Sequence, residues 1–206
     1  MPRRALAVLA LAVAAAPASA QLFFTNDFNP ALYTLSTANG APTTIGASGV
    51  IPSTGFNVGL TDTPNPGQLL GSIPDFGCNY INTDGSGVTL ATSIVAEGLA
   101  YDPVNNNYYA ERNMAFFLLD PSTSTTTPLP SAPGNADIND LAYFNGKIYA
   151  LVGFFGPGQG NLLAYDIATG LWGNVGSTGV LFDAAGLAYN PIDGRSEERR
   201  VGKECL

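Results

Sequence analysis

Short apolar and aromatic phrases recur along this chain at a nearly constant step, separated by turn-forming residues. The phrase Gly98-Leu99-Ala100-Tyr101 returns as Asp140-Leu141-Ala142-Tyr143 and Gly186-Leu187-Ala188-Tyr189, with a weaker copy at Gly59-Leu60-Thr61. From leucine to leucine the steps are 39, 42 and 46 residues. A second phrase keeps its own place in the same period: Leu32-Tyr33-Thr34-Leu35-Ser36, Tyr80-Ile81-Asn82, Phe117-Leu118-Leu119-Asp120 and Leu163-Ala164-Tyr165-Asp166. Two phrases keeping step with one another mark internal repetition, which sets the architecture before any single element is assigned.

Within a period the apolar runs are short or alternating, as in strands of four to eight residues. Strands are predicted over Glu97 to Tyr101, Tyr108 to Glu111, Ala115 to Leu119 and Thr125 to Leu129. The next copy places them over Ile138 to Tyr143, Lys147 to Val152, Leu162 to Asp166 and Leu171 to Val175, with Asn145-Gly146 as a tight hairpin turn. No window outside the first twenty residues combines helical periodicity with caps. Four antiparallel strands in every 40 to 50 residues or so predict an all-β fold, a β-propeller with four-stranded antiparallel blades. One such blade has two apolar faces and needs a neighbour on each, which a ring supplies. A β-sandwich also spaces its strands closely, but it does not group them in fours.

Leu22 to Thr25, Ala31 to Leu35 and Thr43 to Ile45 read as the second, third and fourth strands of a blade without its first. Gly186 to Tyr189 fits that missing strand and would close a four-bladed ring. Yet Asn190-Pro191-Ile192-Asp193-Gly194 copies the turn Asp102-Pro103-Val104-Asn105-Asn106, which leads on to another strand. The expectation is a truncated propeller of about four blades' worth of chain over residues 21–194, cut within a blade.

Both ends differ from the body. Residues 1–20 have the layout of a secretory signal peptide: Arg3 and Arg4, an apolar run from Ala5 to Ala16, then Pro17-Ala18-Ser19-Ala20 before Gln21. The run is shorter than the roughly 20 residues of a membrane span, so a secreted or cell-surface protein is expected, with the periplasm as a further destination. At the other end, Arg195 to Cys205 read RSEERRVGKEC. This matches letter for letter the translation of a common short-read sequencing adapter, so residues 195–206 are read as a non-native tail. Codons in the source DNA that differ from the adapter would refute that reading.

Setting the ends aside changes the charge. Arg112 and Lys147 are the two basic residues left between Gln21 and Gly194, against thirteen acidic ones, so the body carries −11 where the whole chain carries −8. A body this acidic repels phosphate backbones and excludes nucleic acid as a partner. Cys78 is the one cysteine of the body, so no internal disulfide is expected, and a small buried apolar role suits it. The chain has no histidine, which rules out the common serine and cysteine triads and any His-containing metal site.

Carboxylates are the remaining chemistry. Glu97 precedes the inner strand of one blade; Asn139 aligns with it in the next, beside Asp140. Residues entering inner strands line the central channel, so Glu97, Asn139 and Asp140 are the candidate channel-mouth residues, against the commoner alternative of solvated loop ends. No catalytic, cofactor-binding or metal residue is assigned beyond them. Calcium takes oxygen ligands of the kind found in Asn82-Thr83-Asp84-Gly85-Ser86-Gly87, but the segment lacks the longer loop and closing Glu of an EF-hand, and a hairpin turn accounts for it.

The segment LLAYDIATGLWGNVG, Leu162 to Gly176, resembles propeller repeats of the kelch, YVTN and quinoprotein kinds, in which a strand ends in Tyr-Asp, turns through Thr-Gly and meets a Trp. LYTLSTANGAPTTIG, Leu32 to Gly46, is similar to the blade phrase of secreted bacterial propellers of uncharacterised role. Trp172 follows Thr169-Gly170 at a shorter gap than in quinoproteins, which speaks against a cofactor of that kind. Physics accounts for the same residues: Asp166 can bond the backbone of the turn after it, Gly170 supplies a positive φ, and Trp172 covers the blade face. The resemblance reports architecture. The expected function is a binding or scaffold module for a protein or carbohydrate ligand; the alternative is a propeller lyase, hydrolase or oxidoreductase using channel carboxylates or bound calcium.

Overall fold

A computed structural model describes residues 22–26, 29–36, 39–46, 58–153, 157–179, 186–190 and 195–199. Residues 1–20, expected to be a signal peptide, and residues 191–194, expected to be a turn, lie outside them. Every described element is a strand, and no helix among them is long and apolar enough to cross a membrane. The first sheet comprises β1 (Leu22–Asn26), β2 (Asn29–Leu35) and β3 (Pro42–Ile45). The second comprises β4 (Val58–Asp62), β5 (Gln68–Ile73), β6 (Gly77–Asn82) and β7 (Val88–Thr92), and the third β8 (Gly98–Asp102), β9 (Asn107–Arg112), β10 (Ala115–Asp120) and β11 (Thr125–Pro128). β12 (Ile138–Phe144), β13 (Lys147–Val152), β14 (Asn161–Asp166) and β15 (Leu171–Ser177) form the fourth; β16 (Gly186–Asn190) and β17 (Arg195–Arg199) form the fifth. Each sheet is an antiparallel meander in chain order. The first strands β4, β8, β12 and β16 run beside one another in that order, which makes them the inner strands of a β-propeller.

Turn chemistry explains where the strands stop. Asn145 and Gly146 have φ of 47° and 75°, the left-handed pair of a two-residue hairpin between β12 and β13. At the ends of β8, β10 and β14 an aspartate side chain accepts from the turn that follows. Asp102 takes the Val104 N–H at 2.9 Å, Asp120 the Ser122 N–H at 2.9 Å, and Asp166 the Thr169 N–H at 3.1 Å. Asp166 also pairs with Lys147 at 2.8 Å, the one ion pair among the described residues. Asn82 to Gly87 is likewise a hairpin between β6 and β7, held by its own Asp84 and Ser86.

Strand alternation then sends neighbouring side chains to opposite sheet faces. Tyr109 and Phe116 point into the core between the third and fourth sheets, where Leu141, Ile148, Ala150, Leu163 and Tyr165 meet them. Their chain neighbours Tyr108 and Phe117 pack into the core between the second and third sheets with Leu70, Cys78 and Leu99. Leu32 carries the first sheet onto Leu69, Ile73 and Ile81 of the second. Trp172 seals the seam of the third and fourth sheets: its indole N–H donates to the Pro130 carbonyl at 2.7 Å, and its ring lies 5.0 Å from that of Phe116. Cys78 is fully buried, and burial pushes its thiol up to about 11, which suits packing and not nucleophilic attack.

Inner strands come so close that a side chain at Gly98 would press on the next strand. A Cβ on Gly98 would sit 3.0 Å from Leu141 Cγ and 3.3 Å from the Asp140 backbone. The equivalent residues are Gly59 on β4, Asp140 on β12 and Gly186 on β16. β16 pairs with β17, which falls within the residues read as a non-native tail, and among the described residues it does not pair with β1, so the Gly186 segment does not complete the first sheet.

Candidate functional site

Because β8 and β9 are antiparallel, the end of β9 lies beside the start of β8, and Gly98 pairs with Glu111. Glu97, just ahead of β8, donates its N–H to the Glu111 carbonyl at 2.7 Å. The hairpin from β9 to β10 turns through Asn113 and Met114, both at positive φ (51° and 68°). A methionine is costly there, and the Glu111 side chain offsets the cost: its Oε1 accepts the Met114 N–H at 2.6 Å. The other oxygen, Oε2, is buried with no partner.

Glu111 is wholly enclosed, facing the fourth sheet. Burial pushes its carboxyl up to about 8, and the negative charges of Glu97 and of Asp137, which precedes β12, push the same way. At neutral pH Glu111 therefore holds a proton. Three carboxyls thus gather at the end of the propeller where inner strands begin, between the third and fourth sheets. No lysine or arginine pairs with them, since Lys147 is committed to Asp166 and no other ion pair occurs among the described residues.

Asp140 occupies a different place. A bulge between Ile138 and Asp140 interrupts the β12 alternation, and the Asp140 carboxylate points among the inner strands. Its Oδ1 accepts the Leu141 N–H at 2.8 Å and its Oδ2 the Leu187 N–H at 2.7 Å; the Leu99 backbone is the third amide that favours its charge. Burial outweighs these three donors and pushes the carboxyl up to about 7.

The three channel-mouth candidates are therefore divided. Glu97 lies with Glu111 and Asp137, Asp140 sits among the inner strands, and Asn139 packs on Gly153, where its Nδ2 is buried without a partner. No hydrogen bond among the described residues joins any two of the three. Glu111 and Asp137 escaped the sequence reading. Tyr108 to Glu111 reads as a strand ending in a solvated charge, and only the hairpin register, which sets Glu111 opposite Gly98, hints otherwise. Among the described residues no group of three His, Cys, Asp or Glu side chains is placed to hold a metal ion.

Comparison with known proteins yields fold and nothing finer. No protein-family model matches the chain, and no curated protein matches it. Among solved structures it is similar to a chain from a nidogen/laminin complex, with TM-score 0.60 and 14% identity over 82% of this chain and 64% of that one. It is also similar to a structural genomics protein of unknown function from Bacteroides thetaiotaomicron, with TM-score 0.59 and 16% identity over 82% of this chain and 51% of that one. The chain thus spans between about half and two thirds of these structures. Fold and inner-strand arrangement define a β-propeller.

Proposed function

We propose that this chain is part of an exported propeller that binds a protein partner at the mouth formed by Glu97, Glu111 and Asp137. The observation that carries this reading is the pair of half-buried carboxylates Glu97 and Asp137 beside the enclosed, protonated Glu111, with no ion-pair partner among the described residues, in a body of charge −11. Such a surface attracts a cationic side chain and steers its approach. A protein partner is in keeping with the similar chain from the nidogen/laminin complex, and the Asp140 carboxylate is taken up by backbone donors. The competing enzyme reading draws on the proton of Glu111, but the Oε2 it would use is buried.

Titrating the protein with a lysine-rich peptide tests the site. Glu97→Gln with Asp137→Asn is expected to weaken binding about tenfold at low salt, roughly 0.7 kcal/mol for each half-buried charge. The control pair Asp84→Asn with Asp120→Asn removes equal charge elsewhere and is expected to change little; equal weakening by both pairs defeats the proposal. Export has its own test, since a secreting host is expected to release a protein whose N-terminus is Gln21. Intact mass showing residues 1–20 retained contradicts it.

A further inference from the structure

We infer that Asp140 is a latch fastening the inner strand of the fifth sheet, β16, to the rest of the arc. At the residue before the repeated leucine, β4, β8 and β16 carry Gly59, Gly98 and Gly186; β12 alone carries a side chain. Glycine serves there because the next inner strand comes within contact of its backbone, as Asp140 does at Gly98. Asp140 turns that crowding into a bond. Its carboxylate stabilises amides of Leu99, Leu141 and Leu187, the same residue of the repeated phrase in three successive sheets.

These contacts differ in what else supports them. β8 and β12 are each embedded in four-stranded sheets whose faces share a large apolar core. β16 belongs to a two-stranded sheet and reaches the arc through β12. The 2.7 Å bond from the Leu187 N–H to Asp140 Oδ2 is a buried polar tie across that seam. A two-stranded hairpin has little stability of its own. The seam between β12 and β16 is therefore where the arc opens first, and Asp140 sets how often it does so.

Hydrogen exchange read by mass spectrometry tests this on the full chain. Asp140→Gly, which installs the residue of the other inner strands, is expected to speed exchange of the Gly186–Asn190 segment at least about tenfold. β4 to β11 are expected to keep their native rates. Asp140→Asn retains one acceptor oxygen and is expected to fall between the two; it decides the matter if the glycine variant does not fold. Unchanged exchange at Gly186–Asn190, or an equal acceleration in every strand, overturns the latch.

Discussion

Raising the pH from about 5 to about 9 is expected to destabilise this protein, lowering its Tm by on the order of 10 °C. The cause is two enclosed carboxyls. Glu111 goes from an ordinary 4.5 to about 8 on folding, and Asp140 from 3.8 to about 7. A carboxyl whose folded pKa is raised binds its proton more tightly in the native state than in the unfolded one. Its stabilising contribution is complete below the unfolded value and lost as pH rises through the folded value. The window is therefore pH 4.5 to 8 for Glu111 and 3.8 to 7 for Asp140. At about 1.4 kcal/mol per unit, the Glu111 shift alone is worth on the order of 5 kcal/mol.

The groups facing Glu111 sharpen the effect. Glu97 and Asp137 are both acidic, so ionising Glu111 adds a third negative charge to an enclosed site. No charged side chain contributes to the Asp140 shift, which comes from burial against backbone donors. On the acid side the turn carboxylates act in the opposite sense. Bonds from its own turn hold Asp120 at about 2, and the Lys147 ammonium, helped by the Thr169 N–H, holds Asp166 below its usual range; what they contribute is lost as pH falls below about 4. Maximum stability is expected near pH 4. Thermal unfolding followed by circular dichroism between pH 4 and 9 measures the profile. Glu111→Gln is expected to match the native protein at pH 5 and exceed it at pH 9. A Tm that rises with pH, or a Gln variant with the native slope, refutes the assignment.

Replacing Phe116 by Ala is expected to cost about 3 to 5 kcal/mol. Phe116 is 2% exposed on β10 and belongs to the third sheet, but two of its three aromatic contacts are with the fourth. Its ring lies 5.0 Å from both Tyr165 and Trp172, edge-on to each, and 5.8 Å from Tyr109, stacked. Such pairs add about 0.5 to 1.5 kcal/mol beyond the area they bury, and the cavity left by Ala would open on the seam that Trp172 closes. Urea unfolding followed by Trp172 fluorescence gives the number, since Trp172 is the single tryptophan. Val104→Ala, at a residue 77% exposed, is the reference and is expected to shift stability by less than about 0.5 kcal/mol. A Phe116→Ala cost below about 1 kcal/mol would mean the seam is not packed as described.

The seam illustrates what the sequence by itself determined. Tyr108-Tyr109 and Phe116-Phe117 announce sheets clothed on both faces, because adjacent strand residues point to opposite sides. The four-strand period is equally local: Asn145-Gly146 demands a two-residue hairpin, and Asp166 with Thr169 and Gly170 demands a turn. Strand boundaries follow from such chemistry to within a residue or two.

Tertiary structure alone decided the fate of the carboxyls. Glu111 and Asp120 both stand at strand ends beside turns, yet one is enclosed and holds its proton at neutral pH while the other is exposed and strongly acidic. Nothing within a few residues separates them, because the difference is made by the neighbouring sheet, whose Asp137 lies 26 positions beyond Glu111. Asp140 is the same case, with donors 41 residues before it and 47 after. Local pattern determines which strands form. The stacking of one sheet on the next determines which charges lose their water, and so where the chemistry of this propeller lies.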